Sequence, residues 1–311
     1  MVSPLLPYAF FEGEIVPLES AKVSIATHAL QYGTGVFGGV RGYLDVSGQC
    51  INIFRLSDHL DRLLGAMGLL RMTLPYDRPT LEALWVELTQ RNAARSNVYY
   101  RPFVYKAGYE LTPTLSGIPD QFALYMITLG DFYTKGGLSV MVSSWRRISD
   151  QAIPARGKIT GAYINSSLVK DEAKRLGFDE AILLNSQGKV SEASAANIFM
   201  VRRGTLITPP ITADILEGIT RSTVLELAAD AGIPILERDI DRSELFFADE
   251  LFVCGTGAQV TAITAVDLQP IGLGEPGPIT QTLTQAFQDV VTGQRSAYRH
   301  WLTPIPLTPP T

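Results

Sequence analysis

Arg156-Gly157-Lys158-Ile159-Thr160-Gly161, set ahead of a helical pattern over 164–176, is the stretch on which the reading of this chain turns. A lysine beside glycine is ordinarily a solvated loop residue. Three downstream stretches give this one other company. Val190-Ser191-Glu192-Ala193-Ser194-Ala195-Ala196-Asn197 puts a carboxylate among small residues just before an expected strand. Glu217-Gly218-Ile219-Thr220-Arg221 opens a helix, where free backbone N–H groups and the dipole favour an anion. Gly255-Thr256-Gly257-Ala258 follows a strand, and such a turn can present successive N–H groups to an anion. Each alone is an ordinary cap or turn. Together they supply an amine, a carboxylate and an anion cup.

Those are the demands of pyridoxal phosphate: a lysine for its imine, a carboxylate to keep the pyridine nitrogen protonated, and donors around the phosphate. The rest of the chain leaves room for this reading. Its 311 residues suffice for two domains, each with its own core. Hydrophobic residues make up 46% and charged ones 18%, an ordinary globular balance. A formal charge of −5 and the absence of a basic stripe argue against nucleic acid as a partner. No apolar run reaches the ~18 residues a membrane span needs, and the N-terminus lacks the pattern of a secretory signal. Cys50 and Cys254 form no disulfide framework, and three histidines without paired spacing suggest no metal site. A cytoplasmic metabolic enzyme or binding protein is expected.

Working outward along the chain, the first part reads as α+β. Residues 9–17 form a hairpin about Glu12-Gly13-Glu14, and strands are expected at 23–26 and 51–54. Leu56, Leu60, Leu63, Leu64, Met67 and Leu70 recur at helical spacing behind Ser57 as N-cap. Arg62 lies off that stripe. A helix over 81–91 and strands over 98–105 and 121–128 follow. The loop 130–137 is the expected boundary between a small N-terminal domain, 1–129, and a large C-terminal one, 138–311. In the second part, strands at 138–143, 181–185, 197–201, 206–208, 233–236 and 251–255 accompany helices at 164–176 and 220–231, an α/β pattern. The helices close at Gly177 and Gly232, and Arg203-Gly204 makes a tight hairpin. The Pro-rich tail, 303–311, is expected to carry no packed structure.

Gly33-Thr34-Gly35-Val36-Phe37-Gly38-Gly39-Val40 matches the dinucleotide and kinase glycine patterns, and both readings fail. A dinucleotide site needs a strand before the glycines and a helix directly after them. Residues 28–32 make a poor strand, and Val40-Arg41-Gly42-Tyr43 opens no helix. A kinase would also need HRD and DFG elements, and the chain has neither.

With these residues in view, the chain resembles the fold-type IV, branched-chain aminotransferase family over nearly its whole length. The likeness runs from Thr27-His28-Ala29-Leu30-Gln31-Tyr32-Gly33-Thr34 through Tyr99-Tyr100-Arg101-Pro102, Lys158, Glu192 and Gly218-Ile219-Thr220-Arg221 to Gly255-Thr256-Gly257-Ala258. It implies a two-domain, D-amino-acid-aminotransferase-like architecture with pyridoxal 5'-phosphate as cofactor. Lys158 would carry the cofactor, Glu192 would face its pyridine nitrogen, and Tyr163 would bond its phenolic oxygen. Arg62, Ile219, Thr220 and Thr256 match the phosphate positions. Tyr99, with the Gly257 and Ala258 amides, would hold the substrate α-carboxylate. Arg101 would read the distal carboxylate of glutamate, and Tyr32, Phe37 and Tyr163 would wall the apolar pocket.

The Tyr-x-Arg pattern at Tyr99 and Arg101 resembles the L-branched-chain enzymes rather than D-amino-acid, (R)-amine or aminodeoxychorismate relatives. The implied reaction moves the amino group of leucine, isoleucine or valine to 2-oxoglutarate, in a homodimer or higher homo-oligomer with active sites near the subunit interface. Alternatives are a lyase like aminodeoxychorismate lyase, a D-amino-acid aminotransferase, or a non-catalytic carrier of the cofactor. Four positions depart from the family. Gly38 and Ala196 stand where glutamates are common, and Leu129 and Phe132 where tryptophan and tyrosine are expected.

Overall fold

The computed structural model describes residues 5–131, 133 and 136–307. The chain divides into two compact units, one of Met1–Gly130, Gly157–Gly161 and Asp289–Thr311, the other of Asp131–Arg156 and Ala162–Gln288.

The first unit is built on an antiparallel sheet. Among the described residues its strands run in the order Leu302–Pro306, Cys50–Phe54, Val40–Leu44, Val98–Lys106, Asp120–Thr128, Leu5–Phe11, Glu14–Pro17. The short strand Gly35–Phe37 also pairs with Val98–Lys106. Along Val98–Lys106 burial alternates, with Val98, Tyr100 and Val104 fully enclosed, the period of a strand that has one face in a core. The helices Leu56–Leu69 and Arg78–Arg91 accompany this sheet. Trp85 on the second stacks with Phe122 of Asp120–Thr128, ring centres 6.2 Å apart. Asp77 caps that helix by accepting from the Thr80 N–H at 2.9 Å.

The second unit has a mixed sheet in the order Val190–Ala193, Glu180–Leu184, Leu138–Arg146, Gln259–Val266, Glu250–Gly255, Asn197–Arg202, Thr205–Thr208, Ile235–Glu237. Its parallel pairs are the two joined by helices, Leu138–Arg146 with Glu180–Leu184 and Thr205–Thr208 with Ile235–Glu237, and one more, Leu138–Arg146 with Gln259–Val266. The helices are Tyr163–Arg175 and Ile219–Asp230, each a crossover that a parallel connection requires. Val140, Ile182, Ile198, Val253 and Ile263 sit in one apolar core. Glu180–Leu184, Asn197–Arg202 and Glu250–Gly255 read as near-continuous apolar runs because both faces of these strands are covered.

Several expectations need correction. Residues 23–26 form no strand. Val23 and Ile25 are exposed, and Ser24 turns the backbone by accepting from the Ala26 N–H through its hydroxyl and from the Thr27 N–H through its carbonyl. Ser57 does not cap the Leu56–Leu69 helix. The cap is Arg55 in a left-handed conformation, while the Ser57 hydroxyl accepts from Arg78. Glu192 does precede the strand Asn197–Arg202, as read, and itself lies in a further strand, Val190–Ala193. The tail is packed through Pro306: Leu302–Pro306 pairs with Cys50–Phe54 as the edge of the first sheet, where prolines without an N–H are tolerated. The strand Gln259–Val266 and the helix Pro278–Val291 went unread. Against the boundaries drawn on sequence, Gly157–Gly161 and the C-terminal stretch group with the N-terminal residues. Backbone pairing explains both, Val36 with Ile159 and Cys50–Phe54 with Leu302–Pro306.

Ile305 is buried opposite Ile51 in that tail strand. Ile305→Ala should therefore cost about 2–5 kcal/mol in urea unfolding, as for an ordinary core position. A tail without packing would show no loss.

Candidate active site

In the first unit the chain around Lys158 is strapped to Gly35–Phe37. The Phe37 N–H donates to the Lys158 carbonyl at 3.0 Å, the Thr160 hydroxyl to the Gly35 carbonyl at 2.6 Å, and the Gly161 N–H to the Gly33 carbonyl at 3.0 Å. This fixes the backbone of a residue in no helix or long strand. The Lys158 Nζ stands 5.2 Å from the centre of the Phe37 ring.

Positive charge gathers around it. His59, on the Leu56–Leu69 helix, is held well below its ordinary pKa, first by burial and then by Arg62, Arg55 and Lys158. Burial pushes the Tyr99 phenol up, and Arg101, Arg62 and Arg41 oppose that shift. Arg101 spreads its guanidinium over the Phe37 ring at 4.8 Å and donates to the Tyr99 hydroxyl at 3.3 Å. Its Nε is buried without a hydrogen-bond partner among the described residues. The fully buried Arg41 is committed to the main chain, donating to the carbonyls of Gly130 at 2.6 Å and Leu129 at 3.2 Å. One unit thus brings together Lys158, Arg62, Phe37, Tyr99 and Arg101. Tyr32 is partly exposed, with its hydroxyl donating to the Leu111 carbonyl. At Gly38 a Cβ would meet the Pro102 ring at 2.7 Å, so a glutamate there would have to displace it.

In the second unit the centre is Glu192, a buried carboxylate with three donors. Arg147 Nη2 lies 3.0 Å from its Oε1, while the Asn197 amide and the Leu216 N–H donate to Oε2 at 3.0 and 3.1 Å. Arg147 is itself oriented by donating through Nε to the Asp214 carbonyl at 3.1 Å. A buried charge demands such pairing, and this one has it. Asn197 begins the strand Asn197–Arg202, and its amide also donates to the Leu216 carbonyl at 2.9 Å. The chain then reaches Gly218, where any Cβ would run into the Asn197 amide oxygen. Only glycine lets the backbone pass so close.

Gly218 is the N-cap of Ile219–Asp230, and no side chain caps that helix. Its first-turn N–H groups are therefore not met from within the helix. Ile219 and Thr220 are buried in that turn, while Arg221 is spent elsewhere, donating to the Pro209 carbonyl and Glu237. Thr256, Gly257 and Ala258 form the turn between Glu250–Gly255 and Gln259–Val266. Pairing of Asn197 with Cys254 puts Ala195 and Ala196 beside Gly255, where small residues are needed. Tyr163 opens the helix Tyr163–Arg175 and is half-buried. Phe132 lies outside the described residues.

Arg147, Asn197 and His59 went unread in the sequence. Nothing in the Arg146-Arg147 pair or in an asparagine at a strand start distinguishes them from surface residues, since their role depends on strands brought together across the sheet.

The family described as amino-transferase class IV matches residues 35–266. A probable branched-chain-amino-acid aminotransferase of Synechocystis is 44% identical over 303 residues, covering 97% of this chain and 98% of that protein. The crystal structure of a branched-chain aminotransferase from Thermoproteus uzoniensis with norvaline superimposes with a TM-score of 0.92 at 39% identity, over 96% of this chain and 99% of that one. The branched-chain amino acid aminotransferase from Thermobaculum terrenum in its PLP-bound holo-form gives 0.92 at 37% identity, over 96% and 98%.

The Glu192 cluster has a direct energetic consequence. Arg147→Met should cost about 3–5 kcal/mol in denaturant unfolding, because it leaves a buried carboxylate without its counter-charge. A loss below about 1 kcal/mol, typical of a solvated pair, would contradict the enclosed geometry.

Proposed function

Because the chain belongs to the class IV aminotransferase family, among its branched-chain-amino-acid aminotransferases, we propose that it moves the amino group of L-leucine, L-isoleucine or L-valine to 2-oxoglutarate with pyridoxal 5'-phosphate as cofactor. Its fold is that of the fold-type IV enzymes. The observation that carries the chemistry is Glu192, a carboxylate locked in one orientation by Arg147, Asn197 and the Leu216 N–H. A group that must hold a ring nitrogen protonated needs that fixed direction and charge.

The residues present fit the cofactor. Lys158 offers a primary amine on a pinned backbone, Arg62 a cation, and Ile219, Thr220 and Thr256 stand at a helix start and a hairpin turn suited to phosphate. When bound, pyridoxal phosphate supplies the aldehyde that takes up an amino group and the ring that spreads charge from the α-carbon. Lys158 would hold the cofactor through its primary amine, and the same Nζ would move the proton at the substrate Cα. Glu192 would keep the pyridine nitrogen protonated, and Tyr163 would donate to the phenolic oxygen.

Tyr99 and the Gly257 and Ala258 amides receive the α-carboxylate, and Tyr32, Phe37 and Tyr163 wall the apolar side chain. Arg101 reads the second carboxylate of the acceptor. Its support is that its guanidinium lies over the Phe37 ring and donates to the Tyr99 hydroxyl, and to no main-chain carbonyl among the described residues, whereas Arg41 is committed to two such carbonyls. A planar, permanently charged fork suits that task. A homodimer or higher homo-oligomer is supported by Val23, Ile25 and Leu30, apolar side chains exposed within a few residues of one another in sequence. No helix among the described residues is long and apolar enough to cross a membrane.

Borohydride reduction of the holoenzyme followed by peptide mass measurement should find the cofactor on Lys158, and Lys158→Ala should lose both the label and turnover. Label on another lysine, or turnover near wild type in Lys158→Ala, would overturn the assignment. Arg101→Leu should separate the two half-reactions. Breaking a buried charge pair on one side costs ~2–5 kcal/mol, so single turnovers with glutamate should fall roughly 30-fold or more. Those with leucine should fall much less. Equal losses in both would assign Arg101 to the α-carboxylate or the fold instead.

A further inference from the structure

The turn 256–258 is closed by a residue whose backbone and side chain pull in different directions. Gly255 faces Gln259 across the hairpin, leaving three residues between them. Gln259 has φ +56°, in the left-handed region that glycine occupies at low cost and other residues rarely enter. Three-residue hairpins ordinarily meet this need with glycine. A glutamine kept in such a conformation, and buried, is held there by what its side chain does.

Both ends of its amide are engaged. Nε2 donates to Asp131 Oδ1 at 3.2 Å, and Oε1 accepts from the Gln288 amide at 2.6 Å. Asp131 enters the stretch that leads to the Leu138–Arg146 strand, and further along it the Tyr133 hydroxyl donates to Glu180 at 3.0 Å. Gln288 belongs to the helix Pro278–Val291. All these groups lie in the second unit, and Gln259, Asp131, Tyr133 and Gln288 line a cavity of about 360 Å³ whose wall also includes Ala258. The contacts orient the amide without ambiguity, since the Asp131 carboxylate can only accept.

We propose that Gln259 is a positioning residue that sets the direction of the Gly257 and Ala258 N–H groups by tying their turn to Asp131 and Gln288, and so determines the affinity for carboxylate substrates. The inference rests on the reading above that these two amides receive the α-carboxylate. Gln259 touches no substrate. Its left-handed backbone fixes where the turn ends, and its side chain stops the turn from rotating as a unit.

A purely structural role and a positioning role differ at Gln259→Gly. Glycine relaxes the backbone, so stability should hold or rise, while the tether is lost. In the holoenzyme the KM values for leucine and 2-oxoglutarate should rise about 10-fold, the effect of a hydrogen bond to a charged group, with kcat changing less. Gln259→Glu sets a second carboxylate against Asp131 and should raise both KM values too. Adding Asp131→Asn reverses donor and acceptor across the same contact and should restore them to within about 3-fold of wild type, below the loss expected for a missing bond. Wild-type KM values in Gln259→Gly, or a Gln259→Glu defect that Asp131→Asn does not relieve, would overturn the inference. Binding of 4-methylvaleric acid and of its neutral amide to wild type keeps the two readings apart. Equal affinity would remove the carboxylate reading, and the inference with it. Preference for the acid together with an unmoved Gln259→Gly would remove the inference alone.

Discussion

A carboxylate buried in a protein interior is tolerated only if donors meet it, and in the second unit much of the local chain is arranged to meet Glu192. Arg147 comes from just past the end of the Leu138–Arg146 strand, Asn197 from the start of Asn197–Arg202, and the Leu216 N–H from the loop ahead of a helix. Each donor is secured in turn. Asp214 turns left-handed at φ +59° and gives Arg147 a carbonyl, while the Ser191 hydroxyl donates to the Ala213 carbonyl at 2.7 Å and ties the same loop to the Glu192 strand. Gly218 is then dictated by Asn197, and the helix that begins there inherits a fixed first turn. Charge burial, loop path and helix start are one constraint.

The first unit solves a different problem, that of holding a lysine on irregular chain. Pairing of Val36 with Ile159, with bonds from Phe37, Thr160 and Gly161 on either side, gives Lys158 the backbone order of a strand without a long one. The sheet behind it places Tyr99 and Arg101 two residues apart on Val98–Lys106, so both face the same side. Arginines 41, 62 and 101 all act on Tyr99. Arg41 also donates to the carbonyls of Leu129 and Gly130, whereas Arg101 bonds the Tyr99 hydroxyl.

Much of this was legible in the sequence, and the misses have physical causes. The family reading drawn from Lys158, Glu192, Gly218-Ile219-Thr220-Arg221 and the 255–258 turn is borne out. Strands such as Val98–Lys106 and helices such as Ile219–Asp230 were readable because one buried face imposes a period. What failed depended on distant partners. Val23 and Ile25 look like a strand but pair with no strand among the described residues. Pro304 and Pro306 look like coil, yet an edge position next to Cys50–Phe54 accepts them. Ser57 looks like a cap but is taken by Arg78. Arg147 and Gln259 carry no local mark, since their roles exist only once strands from remote parts of the chain lie side by side.

Under the proposed function Glu192, held by Arg147, Asn197 and the Leu216 N–H, keeps the cofactor's ring nitrogen protonated. Nitrogen-15 NMR of the holoenzyme loaded with cofactor labelled at that nitrogen tests it without reference to turnover. The wild-type resonance should be that of a protonated nitrogen and should move to the unprotonated position in Glu192→Gln. An unprotonated nitrogen in wild type, or a protonated one that survives Glu192→Gln, would contradict it.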